Sequence, residues 1–318
     1  MATHYAAYGL HLACSFTLPG TQATGSADSA LPTLTVDLQD PAELDRRWSG
    51  PSGPPEWRGR LGDGLDLTIE RGSADDLLFA YGDRARFHLH TDLACLDCAP
   101  EHPGLDWQRT LISKVLPAIG VMRGYEALHA AAVDSPGGVV AIMAPSGSGK
   151  STLAIELLGR GWPLFTDDVL ILEDHAGSVR AHPGTPHMNL TEHSPSSTDP
   201  QCLGDTLGVL AGERWLVAAN TTTRARPVRM LCLLERAPGL ASETRSLGLG
   251  PLPLAPYMLG LQSDAQRQRD RFTLYADMIE STPLVRMTAD LQQPPQQLAD
   301  LLEDALHSHP QPTIRTAG

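Results

Sequence analysis

Eight consecutive residues, Ala144-Pro-Ser-Gly-Ser-Gly-Lys-Ser151, carry the clearest chemical signal in this chain. They match the phosphate-binding pattern G-x-x-x-x-G-K-[ST] at every fixed position but the first, where alanine replaces glycine. Glycines let a backbone curl until successive N–H groups point at phosphate oxygens. A helix opening at Ser151 would aim its positive end at the same anion. Ser146, Gly147, Ser148, Gly149, Lys150, Ser151 and Thr152 are thus expected to cradle a nucleotide. Lys150 would reach the β- and γ-phosphates, and the Ser151 hydroxyl would take a magnesium position. Only two lysines occur, Lys114 and Lys150, so a Gly-Lys-Ser at the one productive place is no accident of composition. Guanine-specific proteins carry N-K-x-D, and neither lysine follows an asparagine. ATP is therefore the expected nucleotide. Downstream stand Asp167 and Asp168. One carboxylate can hold magnesium while the other accepts a proton from an attacking hydroxyl.

This chemistry needs a buried strand before the loop and a helix after it, and the sequence supplies both. Gly138-Val-Val-Ala-Ile-Met143 is an unbroken apolar run suited to a sheet buried on both faces. A helix is expected over 151–159, and a strand over 164–166. That strand should return parallel beside the first, bringing its C-terminal edge and the two aspartates to the loop. Another strand is expected over 169–172. Upstream, apolar runs at 8–12, 34–38, 65–69, 77–81 and 87–93 predict an antiparallel sheet. Trp107, Leu111, Ile112, Val115, Leu116 and Ile119 fall at helical spacing, with Gly124 just beyond. Downstream, 184–201 reads as a polar loop, 230–234 as a strand and 237–256 as a long connection. Helices are expected over 266–279 and 296–306, with an edge strand over 284–287. The fold class is α/β. Its expected parts are a β-rich N-terminal substrate or assembly domain over 1–104, a connecting helix over 105–125, a phosphate-loop domain over 126–307 and a flexible tail over 308–318.

The 318 residues include 37 acidic and 24 basic side chains, a formal charge of -13. That balance argues against nucleic acid as partner, because gripping a phosphate backbone needs clustered cations. No apolar run approaches the roughly 18 residues of a membrane span, and no secretion signal is visible at the N-terminus. A cytoplasmic protein is expected. Cys95-Leu-Asp-Cys98 is half a zinc site without its other half, so the five cysteines read as reduced thiols. His175, His182, His187 and His193 lie at irregular intervals in predicted loop, which argues against a metal site there.

Leu128-His129-Ala130, the loop, Arg160-Gly161 and Asp167-Asp168 together resemble the catalytic core of the HPr kinase/phosphorylase family. That family has an LHG segment, GxSGxGKS and RG…DD at the same offsets, and the likeness covers roughly residues 126–174. It implies a P-loop kinase core of the HPr kinase type and a homo-oligomer. It also implies Asp168 as proton acceptor, His129 as active-site histidine beside the carboxylates, and Lys150 and Ser151 as phosphate and magnesium contacts. Asp167 would support the metal. The family's stretch resembling E-x-R-G-L-G-I-I-N has no counterpart, although Glu192 falls at about the distance of that motif's metal-binding glutamate. Arg214, Arg224 and Arg226 occupy the territory of a phosphate-clamping arginine. The missing stretch leaves HPr as substrate, and the reverse phosphorylase reaction, without support. Tyr8-Gly9-Leu10 followed by Leu18-Pro19 resembles the opening of HPr-kinase-like proteins of lasso-peptide systems, which phosphorylate a precursor peptide.

The resulting expectation is an ATP- and Mg2+-dependent serine kinase acting on a ribosomal precursor peptide. The partner would be a peptide or small protein carrying a serine, with neither nucleic acid nor membrane involved. Alternatives are an HPr-type protein serine kinase, a free-serine kinase and, from another class, an ATP-binding regulatory protein without phosphotransfer.

Overall fold

Short alternating runs separated by glycine, proline and acidic turns build eight strands before residue 101. They are β1 (Thr3–Ala7), β2 (Leu10–Cys14), β3 (Thr33–Leu38), β4 (Trp57–Arg60), β5 (Asp66–Arg71), β6 (Leu77–Tyr81), β7 (Ala85–Leu89) and β8 (Cys95–Pro100). The computed structural model describes residues 2–25, 30–61, 64–175, 178–191, 203–210, 212–248, 252–259 and 265–309. The eight strands pair in the order β1-β2-β3-β8-β7-β6-β5-β4. The sheet is mixed rather than antiparallel, because β3 runs parallel to both β2 and β8. Each of those connections is long, and only tight hairpins force antiparallel pairing. The strand expected over 8–12 is a hairpin instead. Tyr8 and Gly9 have φ of 57° and 74°, the positive values a two-residue turn between paired Ala7 and Leu10 requires.

One face of this sheet buries Leu12, Leu34, Phe79, Phe87 and Leu96 against Trp107, Leu111, Ile112, Val115 and Ile119. Those five lie on the connecting helix, which is α-helical over Asp106–Thr110 and Leu116–Met122 but widens to a π-turn over Leu111–Val115. Pro117 accounts for the widening. It has no N–H to give Ser113, and its ring would strike that carbonyl in an α-helix. The Leu116 N–H reaches back to Leu111 O instead. The other face is covered by a short helix, Pro41–Arg47, whose Leu44 packs on Leu78 and Ala99.

From Glu126 the chain builds β9 (Glu126–His129), β10 (Ala131–Ser135), β11 (Gly138–Met143), β12 (Leu164–Thr166), β13 (Val169–His175) and β14 (Ser178–His182). Next come β15 (His187–Thr191), β16 (Leu203–Leu210) and β17 (Glu213–Ala218). The last strands are β18 (Arg226–Arg236), β19 (Glu243–Ser246), β20 (Met258–Leu259) and β21 (Leu284–Ala289). The second sheet runs β12-β10-β11-β18-β14-β13-β9-β20, with β21 on β18 and β19 on β21. All six residues of β11 are buried, and its neighbour β18 runs parallel to it. The loop helix, Lys150–Gly159, and the helix Pro295–Ser308 cover one face through Leu153, Leu157, Leu298 and Leu302. The helix Ala265–Ser281 covers the other through Tyr275, Met278 and Ile279.

Three expectations are corrected. β12 runs parallel to β11 but not beside it, because β10, antiparallel to both, fills the place between. The stretch 184–201 is not simply a loop: β15 pairs β17, which pairs β16, and Met188, Leu190 and Leu216 pack toward the loop helix. β21 is not an edge, since β19, within the supposed connection 237–256, pairs its outer side. The tail beyond His309 lies outside the described residues. Among the described residues no helix is long and apolar enough to cross a membrane.

Candidate functional site

β11 ends at Met143 and the loop helix starts at Lys150, so 144–149 must reverse the chain within six residues. Gly147 and Gly149 make this possible with φ of 78° and 95°, values that side chains with Cβ resist. Ala144 is not among the residues with positive φ; its methyl is buried in the core with Ile142 and Leu153. Alanine therefore costs the loop nothing at the pattern's first position. Ser146, Gly147, Gly149, Lys150, Ser151 and Thr152 line a cleft of about 480 Å³. Ser148 does not line it; its N–H is turned to Pro145 O at 3.2 Å.

Asp167 and Asp168 form the link by which the chain leaves β12 and enters β13, and both line the same cleft. Asp168 has φ of 80°, a left-handed conformation that costs an aspartate on the order of 1–2 kcal/mol. Its carbonyl is held by Ala130 N–H at 3.1 Å and His129 Nδ1 at 3.0 Å. The same Nδ1 lies 3.1 Å from Asp168 Oδ1, and Lys114 Nζ lies 3.4 Å from Oδ2. With Nδ1 donating, Nε2 is free to accept from Lys150 Nζ at 3.1 Å, and Lys150 also donates to Ala144 O at 2.9 Å. A continuous relay thus runs from the loop lysine through His129 to Asp168.

Burial sets the charges apart. Burial alone would raise the Asp168 carboxyl, but the His129 hydrogen bond and the Lys114 charge outweigh it and hold it well below the usual range. For Asp167 burial wins and lifts the carboxyl to about 6, against bonds from Asn189 N–H and Ser151 and with the Asp168 charge assisting. Burial also lowers the Lys150 ammonium, despite Asp168 and Asp167 nearby.

The residues around Asp167 suit a hard cation. Ser151 Oγ donates to Asp167 Oδ1 at 2.9 Å, and Asn189 N–H to Oδ2 at 2.9 Å. Asn189 Oδ1 is buried without a hydrogen-bond partner among the described residues, and Asn189 lines the cleft. A buried oxygen with nothing to accept, on a residue that lines the cleft and whose N–H holds Asp167, would add to that carboxylate and the Ser151 hydroxyl an all-oxygen donor set of the kind magnesium takes. Glu192 lies outside the described residues. Asn189 therefore supplies an oxygen here that spacing alone did not reveal, because β15 was hidden in a polar stretch.

None of the three arginines in the clamp territory lines the cleft. Arg226 Nε pairs with Asp134 at 3.1 Å, and neither Arg214 nor Arg224 lines the cleft. The cationic walls are Arg84, Arg109 and Lys114, with Lys150 at the loop. Arg84 donates to Thr110 Oγ1 at 3.1 Å, and Arg109 pairs with Glu213 at 2.5 Å. Arg236 backs the loop, its NH1 3.0 Å from where a Cβ on Gly149 would sit. Arg160 bonds Glu303 and Asp300 at 2.8 Å each, pinning the last helix to the loop helix. Lys114 was the one omission the sequence could have flagged, as the only other lysine. Of the four histidines read together, His182 bonds Glu173 and His187 stacks on Trp215, while His193 lies outside the described residues.

No family model matches this chain, and no curated protein matches it either. Among solved structures it is similar to the HPr(Ser) kinase/phosphatase from Coxiella burnetii, with 13% identity and a TM-score of 0.32. The match covers 57% of this chain and 97% of that one. The chemistry must be read from the cleft itself.

Proposed function

We propose that this chain is an ATP-dependent kinase of the HPr-kinase-like type, transferring the γ-phosphoryl group to a serine hydroxyl on a short precursor peptide. What carries the reading is that Lys150, Ser151, Asp167, Asp168, His129 and Lys114 face one cleft, joined by hydrogen bonds and ion pairs. The loop amides other than that of Ser148, with the start of the loop helix, would hold the β- and γ-phosphates. Ser151, Asp167 and Asn189 would hold magnesium, which when bound neutralises charge on the transferring group. Lys150 would exchange its bond to His129 for one to phosphate. Asp168, ionised at neutral pH, would orient the attacking hydroxyl and take its proton late. A loose phosphoryl transition state asks little of base strength, so a weakly basic carboxylate suffices. His129 and Lys114 keep that carboxylate in place.

The peptide acceptor is favoured by the far wall, where Leu61, Leu65 and Arg84 from the first sheet's turns face the loop. The N-terminal likeness to lasso-peptide kinases points the same way. Cytoplasmic location and self-association belong to the same proposal. The test incubates the protein with labelled ATP and a serine-containing precursor peptide, an HPr protein or free serine. Label should pass to the peptide. Asp168→Asn should lose about 10²–10⁴ of the turnover while ATP affinity holds. No transfer to any acceptor would leave the regulatory ATP-binding reading in its place, whereas transfer at an unchanged rate in that variant would remove Asp168 as the proton acceptor.

A further inference from the structure

We propose that His88, His90 and Asp97 bind a divalent transition-metal ion of the zinc class, on the face of the first sheet away from the connecting helix. His88 lies in β7 and His90 one residue past its end, and their rings lie side by side with centroids 4.7 Å apart. Asp97 is the cross-strand partner of His88 on β8. That side is the one the Pro41–Arg47 helix covers, since Leu78, paired with His88, packs on Leu44. One ligand atom from each of the three residues lies within 4.8 Å of the others. His90 Nε2 is 3.1 Å and His88 Nδ1 3.8 Å from Asp97 Oδ2. Ligands of a tetrahedral ion, each about 2.0–2.1 Å from it, sit about 3.3 Å apart, between those two distances.

The surroundings are arranged for a ligand rather than for an ion pair alone. His88 is only 5% exposed, and its Nδ1 is buried with no hydrogen-bond partner among the described residues. A buried ring nitrogen left unpaired is costly and calls for a partner. The opposite nitrogen, Nε2, is fixed by Asp76 Oδ2 at 2.6 Å. A carboxylate on the far nitrogen orients a metal-binding imidazole and strengthens it as a ligand. Gln39 holds Asp97 Oδ1 at 3.3 Å, which leaves Oδ2 facing the histidines. Arg47, half exposed, approaches Oδ2 to 3.8 Å and has Glu43 at 3.0 Å as its alternative partner. The His90 side chain is 42% exposed, so an ion can enter there and keep a fourth position for water. Imidazole nitrogens with one carboxylate suit zinc and its neighbours rather than magnesium or calcium. The ion would tie β7 to β8 across their hairpin. None of these residues lines the cleft, so this inference stands apart from the kinase reading.

The test uses untagged full-length protein stripped with a chelator and titrated with Zn2+ by calorimetry and with Co2+ by visible absorption. One ion per chain should bind with a four-coordinate cobalt band, and the thermal midpoint should rise with Zn2+. His90→Ala, at a half-exposed position that spares the fold, should abolish the band. Asp76→Asn should weaken Zn2+ about 10–100-fold. Asp167→Asn, in the cleft, should leave the band intact. The proposal is overturned if the folded wild type shows no saturable Zn2+ or Co2+ binding. Equal affinity in wild type and His90→Ala would overturn it too.

Discussion

Lys150 donates to the Ala144 carbonyl and to His129 Nε2, and the bond to His129 is the one its ammonium would exchange for a phosphate. Since burial disfavours its charge, an arriving anion restores what the site took away. Lys150→Met should therefore weaken triphosphate binding by about 10-fold or more, the size of a lost charge-assisted bond, as read by calorimetry with ATP. Asp167 gives a second prediction, with a sign. Its folded carboxyl titrates near 6, above the ordinary 3.8. Between those values the folded state binds more protons than the unfolded, so stability falls as pH rises through the window. Above pH 6 the site carries an anion that burial disfavours, and a divalent cation offsets it. The rise in melting temperature on replacing EDTA with Mg2+ should be larger at pH 7.5 than at pH 5. Equal shifts at both pH values would place the cation elsewhere than Asp167.

At the scale of elements, the π-turn at Leu111–Val115 sets where Lys114 points. Pro117→Ala lets the helix resume α-register, which rotates Lys114 away from Asp168. Turnover should then fall while ATP affinity holds, and because Leu111, Ile112 and Val115 turn with the same register the melting temperature should fall too. Arg160 works through a helix rather than on substrate. Arg160→Ala frees the Pro295–Ser308 helix from the loop helix, and losing its partly exposed ion pairs should cost about 1–2 kcal/mol in chemical denaturation. ATP affinity should stay near wild type. Much of this level was legible in the sequence. The β11–loop–helix unit, β12 and the paired aspartates follow from apolar runs and glycine chemistry that act locally. The lateral order of strands does not, because nothing in 164–166 says that β10 will take the adjoining place. β15 was missed because its two buried apolar residues, Met188 and Leu190, alternate with histidine, asparagine and threonine, and polar company masked the period of two. With β15 went Asn189. The π-turn was invisible for a different reason: apolar spacing records which face is buried, not how tightly the helix is wound.

For the molecule as a whole, the decisive joint lies between the two sheets. The core of the first sheet continues into Ala127, Val169 and Ile171 of the second, so the wall carrying Arg84 and the loop carrying Lys150 are held together by shared burial. Tyr8 sits at this joint, 3% exposed, with its N–H on Pro183 O at 2.7 Å and its hydroxyl 3.5 Å from Thr185 Oγ1. Burial pushes its phenol up to about 12, so it remains a neutral wedge. Gly9 has no room for a side chain, as a Cβ would lie 2.6 Å from the Tyr125 ring. The Tyr8-Gly9-Leu10 signature is therefore explained by packing at this joint. Truncating the wedge should cost about 3–5 kcal/mol, as for other buried aromatics, whereas Tyr8→Phe forfeits only a long hydroxyl contact and should cost under about 1 kcal/mol. Because the loop and its nucleotide contacts belong to the second sheet alone, Tyr8→Ala should raise the KM for the acceptor more than that for ATP. Denaturation curves of both variants, with KM measured for each substrate, check this directly. A Tyr8→Ala protein of wild-type stability would mean that the two sheets do not depend on this contact.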